Sequence, residues 1–154
     1  MKIVIGSDHG GYDLKEDLKA YLEELGHEVA DYGTHSKESV DYPDFAFLVA
    51  QAVARGLFDR GIMVDGAGVG SCIAANKVPG ARCAVCHDTF TARNSREHNN
   101  ANMLALGDRV IGKGVAREIV KVWLETQFAG GRHLRRVNKI IEIEKRFLSG
   151  QPSE

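Results

Sequence analysis

The chain has 154 residues, of which 44% are hydrophobic and 27% are charged, and its formal net charge is −1 at pH 7. This composition is typical of one α/β domain with its own core, and the near-zero charge gives no reason to expect nucleic acid or an anionic membrane as a partner. The apolar runs are too short to cross a bilayer, and acidic residues interrupt the N-terminal segment before a signal peptide could form, so we expect a cytoplasmic protein.

Strand and helix patterns alternate along the chain. Short runs rich in apolar and β-branched residues predict five strands, which are "KIVIG", "HEVADYG", "GIMVD", "RCAVC" and "NMLALG". Helical patterns separate them; the first repeats leucine on one face from Leu14 to Leu25 and ends at Gly26. This alternation predicts right-handed crossovers and a three-layer α/β/α sandwich around a mainly parallel five-stranded sheet.

The C-terminal segment "LRRVNKIIEIEKRFL" is a basic, amphipathic helix that follows the last predicted strand. Its apolar face needs a surface to cover, so we expect it to pack on a second subunit in a dimer or a tetramer. Packing back on its own domain is the alternative. We expect a single domain over residues 1–148 and a loose tail over residues 149–154.

Two of the three cysteines, Cys83 and Cys86, form a C-x-x-C motif inside a predicted strand. Strand alternation points their side chains to opposite faces of the sheet, which is a poor geometry for a redox pair. We therefore expect both to be structural.

The stretch "VDGAGVGSC" joins a predicted strand to a helix and carries Gly66, Gly68 and Gly70 at alternate positions. Backbone N–H groups in such a turn can form a cradle for an anion. The spacing is neither the dinucleotide nor the P-loop pattern, so a small oxyanion such as an enediolate oxygen fits better than a nucleotide. Asp65 and Cys72 flank the loop, and either could do chemistry.

Further polar residues follow the predicted strands and helices. Asp8 and His9 come directly after the first strand, where ligands bind in parallel sheets, although Asp8 could instead cap the next helix. His98 lies beside amide side chains before the last strand, in a setting that suits proton transfer near neutral pH. Arg132 and Arg136 are one helical turn apart, which favours either a phosphate clamp or a solvated basic face.

Together these residues predict a small anionic substrate, a histidine, an acid pair and a backbone cradle. The six histidines are scattered, so we expect no metal site.

The motifs "GSDHGGYDLK", "VDYPDFA", "GAGVGSCIAANKVPGAR", "SREHNNANMLALGDRVIG" and "GGRHLRRV" resemble those of the ribose-5-phosphate isomerase B family, which also contains the galactose-6-phosphate isomerase subunits. The resemblance extends over roughly residues 1–147. It implies a Rossmann-like α/β domain in obligate dimers, often paired into tetramers, with active sites at subunit interfaces. It also implies aldose–ketose isomerisation of phosphorylated sugars without a metal or another cofactor.

The resemblance also assigns roles to residues. It implies that His98 opens the sugar ring, that Asn99 holds a hydroxyl, and that the arginines bind the phosphate. The substrate-binding residues that it implies are Asp8, His9, Gly66, Ala67, Gly68, Val69, Gly70, Ser71, Asn99, Arg109, Arg132 and Arg136.

The chain departs from the family at the catalytic base. The family commonly has a cysteine at the position of Asp65, and a subset has a glutamate at the position of Ser71, so neither usual base is present. We expect Asp65 to act as the base, because burial increases the tendency of a carboxylate to take up a proton from the substrate.

Three alternatives stay open at this stage. Cys72 could supply a thiolate at the start of a helix. The chain could be a non-catalytic, sugar-phosphate-binding subunit that needs a cysteine-bearing paralogue. It could also isomerise a different phosphorylated tetrose or hexose.

Overall fold

The computed structural model describes residues 1–150, in which five β-strands alternate with six α-helices. A short 3-10 turn, His9–Gly11, precedes the first helix. The strands are β1 (Lys2–Ser7), β2 (Glu28–Asp31), β3 (Arg60–Asp65), β4 (Cys83–Val85) and β5 (Met103–Gly107). The helices are α1 (Tyr12–Glu24), α2 (Tyr42–Ala54), α3 (Val69–Ala75), α4 (Thr89–Glu97), α5 (Lys113–Glu125) and α6 (Arg132–Leu148).

The strands form one sheet in the order β2-β1-β3-β5-β4, and every neighbouring pair is parallel. This confirms the predicted sheet. The register pairs Ser7 with Val64 and Asp65 with Gly107, so the carboxyl ends of β1, β3 and β5 lie side by side. Ligand-binding residues in such sheets gather at this edge, which we call the carboxyl edge. The opposite one is the amino edge.

The core consists of two apolar layers, one on each face of the sheet. Helices α1, α4 and α5 cover the first face, where Ile5 and the fully buried Trp123 lie, and α2 and α3 cover the second, where Met63 lies. Cys86 packs in the first layer and Cys83 against the second, which confirms that the two thiols face opposite sides. Both are free thiols.

A buried ion network ties α1 to the end of β2. Lys15, which is 0% exposed, donates to Asp31 over 2.6 Å, and Lys19 donates to the same carboxylate over 2.7 Å. Burial by itself raises the pKa of Asp31, but the hydrogen bonds from the two lysines outweigh it and the pKa is lowered. The carboxylate also accepts the N–H of Gly33, whose carbonyl oxygen accepts the N–H of Ser7. The network therefore supports the backbone beside Asp8.

Replacing Lys15 by methionine removes one partner of a buried ion pair. We expect the free energy of unfolding to fall by about 3 kcal/mol, at the lower end for such a loss, because Lys19 still pairs with Asp31. Because the pKa of Asp31 lies below its ordinary value of 3.8, this stabilisation is present above that pH and is lost as the pH falls further. Urea unfolding of both proteins at several pH values should show the difference shrinking in acid. Lys19→Met, a more exposed control, should cost less than about 1 kcal/mol.

Helix α6 rests partly on its own domain. His133 and Val137 are buried, and the carboxylate of Glu144 accepts the backbone N–H of Gly80 over 3.1 Å. Much of its apolar face stays exposed beside a groove of about 660 Å³ that also borders β4. The contacts within the chain agree with the alternative reading, and packing on a second subunit stays a prediction. Residues 151–154 of the expected tail lie outside the described residues.

Among residues 1–150, no helix combines the length and the apolar character that crossing a membrane requires.

Candidate active site

Three loops meet at the carboxyl edge of the sheet. The N–H of Asp8 donates to the carbonyl oxygen of Val64 over 3.3 Å, and the N–H of Arg109 donates to that of Gly66 over 3.0 Å. Gly11 allows the first loop to lie on β3, since a Cβ there would be 2.2 Å from the Val64 carbonyl oxygen. Asp8, Asp65 and Arg109 thus lie in adjoining loops at this edge of the sheet.

Asp65 closes the glycine loop on itself. One carboxylate oxygen accepts the N–H groups of Ala67, over 3.1 Å, and of Gly68, and the other accepts the N–H, over 3.1 Å, and the hydroxyl of Ser71. These four donors match the number of lone pairs that a carboxylate offers. The side chain, in a residue only 4% exposed, therefore holds the loop in shape. Sequence reasoning missed this contribution, although an acid before a glycine-rich turn at a helix start is a recognisable pattern.

The loop still presents donors for a substrate. Gly68 has φ +80°, a left-handed conformation that favours glycine, and α3 begins at the next residue. An α-helix has no acceptors for its first N–H groups, so those of Val69 and Gly70 remain for an anion. The inward N–H groups of the loop bind Asp65, and these outward ones can form the expected cradle.

Asp8 and His9 lie in the loop that follows β1, and Gly10 of this loop packs close to Gly66 of the glycine loop. One oxygen of Asp8 accepts the N–H of Gly11 over 3.1 Å, so the residue does cap the following turn, and its second oxygen remains for a ligand. Burial raises the pKa of Asp8, the bond from Gly11 opposes this, and the negative charge of Asp65 adds to the rise. His9 is exposed, and its Nδ1 accepts the N–H of Val40 over 3.2 Å.

Cys72 points away from the glycine loop. Its thiol donates to the carbonyl oxygen of Cys83 over 3.3 Å, toward the edge strand β4. The neighbouring Cys83 thiol lowers the pKa of Cys72 to about 7, against the opposing effect of burial. The thiol is thus directed toward β4 and not toward the glycine loop.

The other predicted site residues lie at the amino edge of the sheet. His98 follows α4, which runs back from the end of β4, and the nearby Asn102 carbonyl oxygen accepts the N–H of Gly61 at the start of β3. Because α4 has nine residues, it is roughly 13 Å long and carries His98 back toward the amino edge. Asn99 is exposed next to His98, and Arg132 and Arg136 are exposed on the adjoining turns of α6. A single chain therefore does not bring the two sets of predicted residues together.

Two residues that sequence reasoning missed surround the His98 ring. Nδ2 of Asn94, one helical turn earlier, lies 3.1 Å from Nδ1 of His98. The ring of His133 stacks on that of His98 with centroids 4.0 Å apart and planes 13° from parallel. Burial lowers the pKa of His133, and the charges of His98 and Arg132 lower it further. The i, i+4 spacing of Asn94 and His98 was the signal that could have revealed the first contact.

In residues 1–150, no group of three or more His, Cys, Asp and Glu side chains is placed to hold a metal ion.

The parallel sheet and the residues at its two edges fit an enzyme that isomerises a phosphorylated sugar. The sequence model of the ribose/galactose isomerase family matches residues 3–140, and the chain belongs to that family. It is a sugar-phosphate isomerase similar to ribose-5-phosphate isomerase B.

Three relatives illustrate the similarity. Ribose-5-phosphate isomerase B of Escherichia coli is 50% identical over 145 residues, which cover 94% of this chain and 97% of the relative. D-erythrulose-4-phosphate isomerase of Pectobacterium atrosepticum is 45% identical, over 91% of this chain and 93% of its own. The structure of ribose-5-phosphate isomerase B from Clostridium thermocellum superposes with a TM-score of 0.94 at 59% identity, covering 96% of this chain and 99% of the other.

Proposed function

We propose that the chain interconverts ribose 5-phosphate and ribulose 5-phosphate, or a closely similar pair of sugar phosphates, by metal-free proton transfer through an enediolate. The observation that carries this proposal is the glycine loop. Asp65 occupies the loop's inward donors, while the N–H groups of Val69 and Gly70 at the start of α3 remain for the enediolate oxygen. Asp8 has a free carboxylate oxygen within the same cleft for a sugar hydroxyl.

We further propose Asp65 as the base that moves the proton between the two carbons. Its carboxylate is buried at the strand end beside the cradle, at the position where the family commonly has cysteine. All four of its acceptor sites are engaged, so one donor must turn away before it can take a proton. The Ser71 hydroxyl is the donor that can rotate, because the other three are backbone N–H groups. Its rotation would expose one lone pair to the substrate.

A second copy of the chain is proposed to complete the site. The carboxyl edge supplies Asp8, Asp65 and the cradle, whereas the ring-opening His98 and the phosphate-binding Arg132 and Arg136 belong to the amino edge. The arginines of the amino edge would add positive charge to an edge that carries the Asp8 and Asp65 carboxylates. In this arrangement Arg109 of one copy and the two α6 arginines of the other would bind the phosphate, and Asn99 a hydroxyl.

The exposed apolar surface also supports a homodimer. The groove between α6 and β4 is lined by Ala84, Ile140, Ile143 and Phe147, and Ile73 is exposed on α3. Large exposed apolar patches rarely occur on surfaces that stay in water. A dimer or tetramer that covers this groove is therefore part of the proposal.

The decisive experiment is an isomerisation screen of the purified protein, alone, over phosphorylated tetroses, pentoses and hexoses. We expect turnover of ribose 5-phosphate without added metal or cofactor. A preference for erythrulose 4-phosphate would show that the substrate is a phosphorylated tetrose. Absence of turnover on every sugar, with binding retained, would instead support a non-catalytic subunit that needs a cysteine-bearing paralogue.

Cys72→Ala is expected to keep the turnover within about twofold of wild type, because the thiol bonds to the Cys83 carbonyl oxygen and alanine is a good helix former. Steady-state rates of the purified variant measure this. A large loss of kcat with an unchanged melting temperature would make Cys72 the base in place of Asp65.

A further inference from the structure

We propose that Asn94 is a positioning residue for His98, which it holds so that Nε2 is the ring nitrogen that faces the sugar. The inference rests on the proposed function, because it assigns a partner to the ring-opening histidine. It depends on two contacts at the amino edge of the sheet, one at the edge of the imidazole ring and one on its face.

The first contact fixes the edge of the ring. Asn94 and His98 are four residues apart, and the N–H of His98 donates to the carbonyl oxygen of Asn94 over 2.9 Å, so backbone and side chain bond to the same residue. Nδ2 of Asn94 can only donate, and therefore Nδ1 of His98 accepts. A neutral imidazole carries one proton, which this contact assigns to Nε2.

The second contact fixes the plane of the ring. His133 is 9% exposed, and its ring lies parallel to that of His98 with centroids 4.0 Å apart. The backbone of His133 is held by its N–H bond to the carbonyl oxygen of Gly130. With one face against His133 and Nδ1 against Asn94, the Nε2 edge is the part of the ring left for a ligand.

The charged groups around His98 do not replace Asn94. Glu97 on the same helix approaches Nε2 only to 3.9 Å and is half-exposed, so solvent can take its place. From α6, Arg132 and Arg136 bring positive charge, which lowers the pKa of His133 in addition to the effect of burial. Asn94 is thus the neighbour that decides which nitrogen of the neutral His98 ring carries the proton.

The position of the proton can be measured directly. Long-range ¹H–¹⁵N correlation spectra of uniformly ¹⁵N-labelled protein distinguish the two neutral tautomers, and the His98→Gln spectrum identifies the His98 signals. We expect the Nε2–H form in the wild type, a mixture in Asn94→Leu, and the Nδ1–H form in Asn94→Asp, since a carboxylate only accepts. The Nδ1–H form in the wild type, or the same tautomer in all three proteins, would overturn the proposal.

The kinetic test separates ring opening from proton transfer. Ribose 5-phosphate is a closed ring, whereas ribulose 5-phosphate stays open because the hydroxyl that would close its ring is esterified. Asn94→Leu should therefore slow isomerisation in both directions about tenfold, the lower end for residues that orient a reacting group. The exchange of the C1 proton of ribulose 5-phosphate with solvent needs no ring opening or closure, and its rate should stay nearly unchanged. Arg93→Gln, an exposed position on the same helix, is the matched control and should change neither rate.

An equal loss of isomerisation and of C1 proton exchange, or no loss of either, would show that Asn94 has no specific effect on ring opening and would overturn the proposal. If the wild-type protein isomerises neither sugar, the proposed function fails, and the tautomer spectra still decide whether Asn94 positions His98.

Discussion

Asp65→Asn is expected to lower the turnover of sugar phosphate about 10³-fold, within the range that a positioned general base contributes. Asparagine has nearly the same shape, and its carbonyl oxygen can go on accepting the N–H groups of Ala67 and Gly68. Its amide nitrogen can donate to the Ser71 hydroxyl but cannot accept the Ser71 N–H, so one of the four hydrogen bonds is lost and three can persist. The variant should therefore keep the loop close to its native form and bind the sugar phosphate, while it lacks a group that takes a proton.

The measurement pairs kcat with the dissociation constant from calorimetry, so that a loss of proton transfer is distinguished from a collapsed loop.

Two further variants test the role of Asp65. Ser71→Ala removes the one donor that can rotate and should retain at least the wild-type rate, because it leaves a lone pair of Asp65 free. Asp65→Cys introduces at this position the thiol that the family resemblance implies as the base, and it should keep measurable turnover. If Asp65→Asn kept its kcat, or if it lost binding as severely as turnover, Asp65 would be a support of the loop and not the base.

The sequence was sufficient to predict the sheet because short runs rich in apolar and β-branched residues alternate with segments of helical periodicity. The β-branched residues of β1 and the glycine that follows α1 are local signals of this kind. The opposite orientations of Cys83 and Cys86 follow from the two-residue period of a strand and needed no tertiary information.

The site was predictable in its parts but not in its arrangement. The saturation of the Asp65 carboxylate depends on the conformation of Gly68 and on the direction of the Ser71 side chain, which composition and spacing do not encode. The separation of His98 from Asp65 could have been predicted from the order of strands and helices. A helix that joins two parallel strands must return to the amino edge, so a residue at its end lies there. The family motifs identify His98 and Asp65 but do not say at which edge of the sheet each of them lies.

This separation makes subunit complementation the most discriminating test of the shared site. Asp65→Asn damages the carboxyl edge and His98→Gln the amino edge, and each homodimer should turn over ribose 5-phosphate very slowly. In a mixed dimer, both defects fall in one site, and the other site combines an intact Asp65 from one copy with an intact His98 from its partner. Mixing the two proteins under conditions of subunit exchange should therefore restore about a quarter of the wild-type activity, since half of the dimers are mixed and each has one intact site of two.

The matched control places both defects at the same edge. In a mixture of Asp65→Asn with Asp8→Asn, each site of the mixed dimer keeps one defect, so activity should stay low. Chains with complete sites of their own would give the opposite result for the first pair, because every site would then carry one defect and no activity would return. Recovery in the first mixture and not in the second thus requires that the carboxyl edge of one chain works with the amino edge of another. The distance that α4 imposes between His98 and the glycine loop leads to the same requirement.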